Sequence, residues 1–190
     1  MPDTAIPSKD EVAAERERLE YRKRYLHTLR TTIYALIVVA ALAVLLATTF
    51  LPVLRVSGTS MEPTLADEDI VLLVKYSSFE TGDLIGFYYQ NKMLLKRVIA
   101  GPGDIVDIDE YGNVTVNGEL LDEPYLTEKS LGETDLVYPY QVPESRYFVM
   151  GDHRSTSIDS RNSAIGCIEK GQIVGKVVLR VWPFSRIGLL

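Results

Sequence analysis

Twenty-four consecutive residues without a charge, Thr31 to Leu54, constrain this chain more than any other feature of its sequence. As an α-helix the run is roughly 36 Å long at about 1.5 Å per residue, enough to cross a hydrocarbon core of about 30 Å with some tilt. A buried helix of a soluble domain is seldom so long and so apolar. Ala41-Leu42-Ala43 has the small-x-small pattern of a cleaved export signal, but it lies inside the apolar run instead of after it, so the segment reads as an uncleaved anchor. Arg22, Lys23, Arg24 and Arg30 crowd its N-terminal flank, whereas Arg55 and Lys75 are the only basic residues in the first 30 positions beyond it. The positive-inside bias predicts a single-pass cell-membrane protein with a cytoplasmic N-terminus and an extracytoplasmic remainder.

The flanks differ in kind. Residues 1–30 form a charged segment with good helix formers from Glu15 to Arg30, and Ser8 to Glu11 has the spacing of a helix capping box. This segment reads as a solvated charged face. Residues 55–190 hold thirteen basic and twenty acidic side chains, a net −7 that does not fit nucleic-acid binding. They also carry seven β-branched or aromatic runs separated by turn residues: Asp69–Lys75, Asp83–Tyr89, Met93–Ala100, Asp104–Asp109, Asn113–Gly118, Arg146–Asp152 and Ile173–Trp182. Gly112-Asn113 and Asn117-Gly118 mark tight reversals, which predicts a small hairpin and loop insertion over about 110–145. The expected organisation is a cytoplasmic helix (1–30), a transmembrane helix (31–54) and one mostly β, antiparallel domain (55–190).

The chemistry must come from few residues. One cysteine, Cys167, excludes an intramolecular disulfide, and with two histidines it is too little for a typical zinc cage, so neither metal nor cofactor is expected. The stretch SGTSMEPTL, Ser57 to Leu65, sets three hydroxyl residues in four positions directly after the apolar run. These are turn formers that suit a linker. They equally suit a reactive serine held close to a bilayer, with Ser60 as the nucleophile. Two bases are available beyond the run. His153, with Asp152 or Asp159 to orient it, would give a Ser-His-Asp arrangement. Lys96, flanked by Leu94, Leu95, Val98 and Ile99, would serve if burial kept its amine neutral; a shift from about 10.4 to about 8 takes on the order of 3 kcal/mol. By pattern alone Lys96 also fits an exposed strand edge.

Taken in order, SGTSMEPTL, GDLIGFY (Gly82–Tyr88), LLKRVIAGPGD (Leu94–Asp104) and GDHRSTSIDSR (Gly151–Arg161) resemble the boxes of type I signal peptidases in their single-anchor, Gram-positive-like form. The resemblance runs from Thr31 to about Trp182. It implies an antiparallel β-sheet catalytic domain of the kind shared with self-cleaving repressors, Ser60 as nucleophile and Lys96 as general base. It further implies Ser157 as the residue that orients the lysine amine, with Asp159 and Arg161 as a supporting ion pair. Leu54, Val56, Met61, Leu94 and Leu95 would line two shallow pockets for small residues at −1 and −3 of a signal peptide. Preproteins, membrane lipid and the export machinery are the implied partners. Two positions depart from the family. Gly58 stands where some members carry an oxyanion-hole hydroxyl, leaving Ser57 or Thr59 as alternatives beside the Ser60 N–H, and His153 stands where asparagine is frequent. The competing readings are a sortase-like transpeptidase using Cys167 and His153, and an anchored β-domain that binds exported proteins without catalysis.

Overall fold

The structure, a computed structural model, describes residues 9–75 and 78–190. The chain divides between Thr49 and Phe50 into two compact units. The first is one helix, α1 (Lys9–Phe50), that joins the charged and apolar segments without a break. Ser8 of the expected capping box lies outside the described residues. Within α1, Arg30 Nε donates to the Tyr34 hydroxyl and Thr31 Oγ1 to the His27 carbonyl, both at 2.9 Å and both one turn apart. The helix is long and apolar enough to cross a membrane, with apolar side chains such as Leu36 and Val38 exposed. It ends at Phe50, four residues short of the expected Leu54. Pro52 explains this, because the residue before a proline is driven to extended backbone, and a strand, β1 (Val53–Arg55), follows at once.

The second unit is built from two antiparallel sheets. The larger contains β1, β2 (Ile70–Val74), β3 (Leu84–Tyr89), β4 (Lys92–Ala100), β9 (Arg146–Met150), β10 (Ile168–Glu169), β11 (Ile173–Trp182) and β12 (Gly188–Leu189). Its order is β1-β2-β11-β3-β4-β9-β10, with β12 on β11. The smaller contains β5 (Ile105–Ile108), β6 (Val114–Val116), β7 (Glu119–Leu120) and β8 (Tyr140–Gln141), in the order β7-β6-β5-β8. All seven expected runs are strands. The additions, β1, β7, β8, β10 and β12, are two or three residues long, too short to show a period of two. The reversals at Gly112-Asn113 and Asn117-Gly118 are present. Asn117 and Gly118 both take positive φ (54° and 83°), which a two-residue hairpin loop between Val116 and Glu119 requires. The inserted sheet begins at Ile105, slightly before the expected 110.

Register decides which side chains share a face. Gln90 and Asn91 close the β3–β4 hairpin, so Tyr89 pairs with Lys92, Phe87 with Leu94, Ile85 with Lys96 and Leu84 with Arg97. Paired residues point the same way and neighbours alternate. One face of β3–β4 therefore carries Ile85, Phe87, Leu94 and Val98, packed in a core with Phe79, Tyr147, Val149 and Ile168. The other carries Leu84 and Leu95, packed with Val56, Met61, Leu65, Val71, Leu73 and Val177. A third core joins the two sheets, where Ile99, Phe148 and Met150 meet Val106, Ile108, Val114 and Val142. Phe148 is fully buried there against Tyr140. Phe148→Ala is expected to destabilise the detergent-solubilised protein by about 3–5 kcal/mol, read from its denaturation midpoint. Leu120→Ala, at a side chain 65% exposed, should shift it by no more than about 0.5 kcal/mol.

Candidate active site

Ser60 sits on a loop whose two ends are stitched together. Val56 N–H donates to the Asp69 carbonyl (2.8 Å) and Glu68 N–H returns to the Val56 carbonyl (3.0 Å). Gly58 takes φ +91°, a conformation that favours glycine, and its N–H donates to Asp67 Oδ1 at 2.8 Å. Met61 and Leu65, at 2% and 0% exposure, anchor the loop in the core that holds Leu84 and Leu95, while Ser60, just before Met61, stays half-exposed. Among the described residues the Ser60 N–H has no acceptor within the chain.

Lys96 Nζ donates to Ser60 Oγ at 2.7 Å. The lysine is 4% exposed, and desolvation lowers its pKa from 10.5 to about 8. The Asp159 and Asp152 carboxylates oppose that shift and the Arg161 guanidinium assists it. Both carboxylates are otherwise engaged. Arg161 donates to Asp159 through Nε (2.8 Å) and Nη2 (2.9 Å), and the Gly151 N–H donates to Asp159 Oδ2 (2.9 Å). Arg97 grips Asp152 with Nε (2.9 Å) and Nη2 (2.6 Å), and Thr64 Oγ1 donates to Asp152 Oδ2 at 2.5 Å.

The expected supporting residues are gathered here with one difference. Asp159 and Arg161 form the ion pair, fully buried. Ser157 is buried beside them, but its Oγ has no hydrogen-bond partner, so the expected contact with the Lys96 amine is not made. Gly151 supplies the close approach instead: a Cβ on it would fall on Ser157 Oγ and 2.5 Å from the Ser60 carbonyl oxygen. His153 is also near Ser60, through its backbone N–H, which donates to the Ser60 carbonyl at 3.1 Å. Its Nδ1 is buried without a partner, and Asp152 and Asp159 are both committed elsewhere, so neither carboxylate orients the imidazole. Cys167 lies in the core joining the sheets, with its thiol pushed up by burial.

Residues that sequence reasoning missed hold this arrangement together. Arg97 also donates to the Gly82 carbonyl (2.8 Å) and to Thr64 Oγ1 (3.2 Å), and it stacks 3.8 Å from the Tyr125 ring centroid. Glu123 pairs with Arg154, both buried, and accepts from the Tyr125 hydroxyl at 3.0 Å. The signal for Arg97 was present: alternation puts it on the face opposite Lys96, next to an apolar strand, where a charge needs a partner.

A shallow cavity of about 80 Å³ lies beside the Ser60–Lys96 pair, lined by Leu54, Val56, Met61, Met93, Leu94 and Leu95. All five of the expected pocket residues are among them. Strand β9 pairs with β4 only from Arg97 to Ala100, so the β4 edge from Lys92 to Lys96 is open toward this cavity.

The lowered lysine pKa has a consequence for stability. Unfolded, the amine titrates at its ordinary 10.5, and folded at about 8. Between those values the unfolded chain binds more protons, so stability rises with pH across that window. Below about pH 8 the native state holds a buried charged amine at a cost on the order of 3 kcal/mol. Lys96→Met should therefore raise the Tm at pH 7, and the gain should shrink as the pH approaches 10.5.

Comparison with known proteins closes the identification. A sequence model of the family "Signal peptidase, peptidase S26" matches residues 29–182. Signal peptidase I of Bacillus amyloliquefaciens is 37% identical over 164 residues, covering 80% of this chain and 88% of its own. Signal peptidase IB of Staphylococcus aureus strain Mu50 is 40% identical over 152 residues, covering 68% and 77%. The crystal structure of a signal peptidase I from Enterococcus faecalis V583 aligns with a TM-score of 0.43 and 26% identity over 53% of this chain and 97% of that one. The chain belongs to the signal peptidase family, peptidase S26, and its activity is the removal of signal peptides from preproteins.

Proposed function

We propose that the cleavage is carried out by Ser60 and Lys96, with the lysine neutral when it acts. The observation that supports this most directly is the 2.7 Å contact between Lys96 Nζ and Ser60 Oγ, together with burial that brings the amine to about pKa 8. In the first step Lys96 accepts the Ser60 proton as Oγ attacks the carbonyl carbon of the −1 residue. The Ser60 N–H is available to the oxyanion, with the Ser57 or Thr59 hydroxyl as a second donor. The lysine, now an ammonium, gives its proton to the nitrogen of the leaving mature chain. A water then attacks the acyl-enzyme, again losing its proton to Lys96, and Ser60 is regenerated. Asp159 and Arg161 act through the lysine by fixing the field in which it titrates.

The topology completes the reading. The basic flank at Arg22, Lys23, Arg24 and Arg30 holds the N-terminus of α1 in the cytoplasm, lipid surrounds the apolar run that ends at Phe50, and the β-unit works outside the cytoplasm. Export machinery delivers its substrates on that side. A preprotein laid along the open β4 edge presents alternate side chains to the cavity, so −1 and −3 meet its apolar walls while −2 points away.

Two experiments test these assignments. The kcat/KM for a synthetic preprotein should rise with pH through about 8 as the amine deprotonates. Ser60→Ala should be inactive while inserting and folding normally, and Lys96→Arg should be inactive because a guanidinium stays protonated. Activity retained in Lys96→Arg but lost in His153→Ala would move the base to the histidine. In a substitution series, cleavage should follow Ala-x-Ala, fall by about a hundredfold or more with Phe at −1 because misplacing the carbonyl by about 1 Å has that effect, and tolerate change at −2. Equal restriction at −1 and −2 would rule out extended, alternating binding.

A further inference from the structure

The cavity beside Ser60 and Lys96 accommodates one side of the scissile bond. A second groove, of about 360 Å³, is lined by Glu62, Pro63, Ala66, Thr127 and His153 and shares none of its lining with the first. It adjoins the nucleophile. Glu62 lies two residues beyond Ser60 in the same loop, and the His153 N–H is hydrogen-bonded to the Ser60 carbonyl.

Strand pairing indicates what enters it. An extended chain along the β4 edge runs past Met93 to Lys96 and there meets β9, which occupies the edge from Arg97 onward. It cannot continue as an added strand. Gly151, Asp152 and His153 follow directly on β9, so the chain must turn away over His153, and the second groove is the open space at that point. The half of the substrate that follows the cut bond is therefore the half that reaches Glu62.

The groove is also charged. Glu62 is half-buried, and among the described residues its carboxylate has neither an ion pair nor a hydrogen-bond partner. The nearby cations are engaged elsewhere: Arg97 by Asp152, Arg154 by Glu123, and Arg180 and Arg186 by Asp69. A half-buried carboxylate without a partner favours a cation brought by a ligand.

We propose that this groove receives the first residues of the mature chain, on the leaving side of the bond, and that Glu62 makes it favour a basic side chain between +1 and +3. The inference rests on Ser60 as nucleophile and on extended binding along β4. The test uses the full-length protein in detergent and preprotein peptides with a fixed Ala-x-Ala before the cut, carrying Lys, Gln or Glu singly at +1, +2, +3 and +6. At one or more of the first three positions the Lys-to-Glu ratio of kcat/KM should be about two- to fivefold at low salt. It should shrink as salt rises and be near one at +6. Glu62→Gln should bring the ratio toward one, and Glu62→Lys should invert it. If the lysine variant does not fold, the glutamine variant alone carries the comparison. A ratio near one at all three positions in the unaltered protein, or a ratio that neither variant changes, overturns the proposal while Ser60→Ala remains inactive. Cleavage that survives Ser60→Ala overturns the nucleophile assignment, and this inference with it.

Discussion

A buried amine surrounded by charged side chains, its pKa drawn down to about 8, is the constraint on which the rest of this site depends. Lys96 lies close enough to Asp152 and Asp159 for both to raise its pKa, yet burial wins and the value falls to about 8. Each of those carboxylates is also met by a guanidinium. Asp159 is held by Arg161 and Asp152 by Arg97, and each guanidinium engages its carboxylate with two nitrogens. Arg161 offsets part of the pull that Asp159 exerts on the lysine proton. Removing either arginine would leave a buried, unpaired carboxylate, and the simplest partner for it would be the Lys96 ammonium. The ion pairs thus limit how far the carboxylates hold a proton on Lys96, which the proposed role as a base requires.

The same pairs bind distant segments into one site. Arg97 alone connects β4, the Gly82 turn, the nucleophile loop at Thr64, the segment after β9 at Asp152, and the ring of Tyr125. The Glu123–Arg154 pair fastens the inserted segment to the loop that carries Ser157 and Asp159. Thr64 and Met61 have complementary tasks in the loop that follows Ser60: one ties it to Asp152 and the other sinks into the apolar core. Loop geometry at the nucleophile is fixed from both sides, which suits a hydroxyl that has to stay within reach of a single nitrogen.

Much of this was legible in the sequence, and the rest was not, for identifiable reasons. The long strands announce themselves by β-branched and aromatic runs, and the hairpin at Asn117-Gly118 by residues that accept positive φ. Strands of two or three residues have no pattern to read, and the helix end was misplaced because Leu51 to Leu54 is as apolar as the span, although Pro52 already forbade it. Ser60 stood out by position. Lys96 did not: alternation on an apolar strand fits an exposed edge as well as a buried base, and only the closure of the Gly151–Arg161 segment over it decides between them. The resemblance to signal peptidases supplied that information in advance. It also implied a hydrogen bond from Ser157 that this structure does not contain. The Glu123–Arg154 and Arg97–Tyr125 contacts join positions about 30 residues apart in a loop-rich segment, where no periodicity connects them.

The two sides of the reaction centre differ because the strands on them differ. Beside Ser60 and Lys96, β4 has an open edge, and the cavity there is lined by Leu54, Val56, Met61 and Leu95, all continuous with an apolar core, together with Arg55, Ser57, Ser60 and Lys96. Beyond Lys96 β9 closes the edge, and the polypeptide that follows carries Asp152, Arg154 and Asp159 inward, where Arg97, Glu123 and Arg161 pair with them. What lines the groove there is His153 with Glu62, Pro63, Ala66 and Thr127. The two openings thus differ in backbone, one beside a strand edge free for pairing and the other where that edge is closed, an asymmetry that the pairing of β4 and β9 imposes. A site that depended on side chains alone could be reshaped by a few substitutions. Here the open edge ends at Arg97, the residue where β4 gains its second neighbour, so strand pairing sets the boundary one residue beyond Lys96.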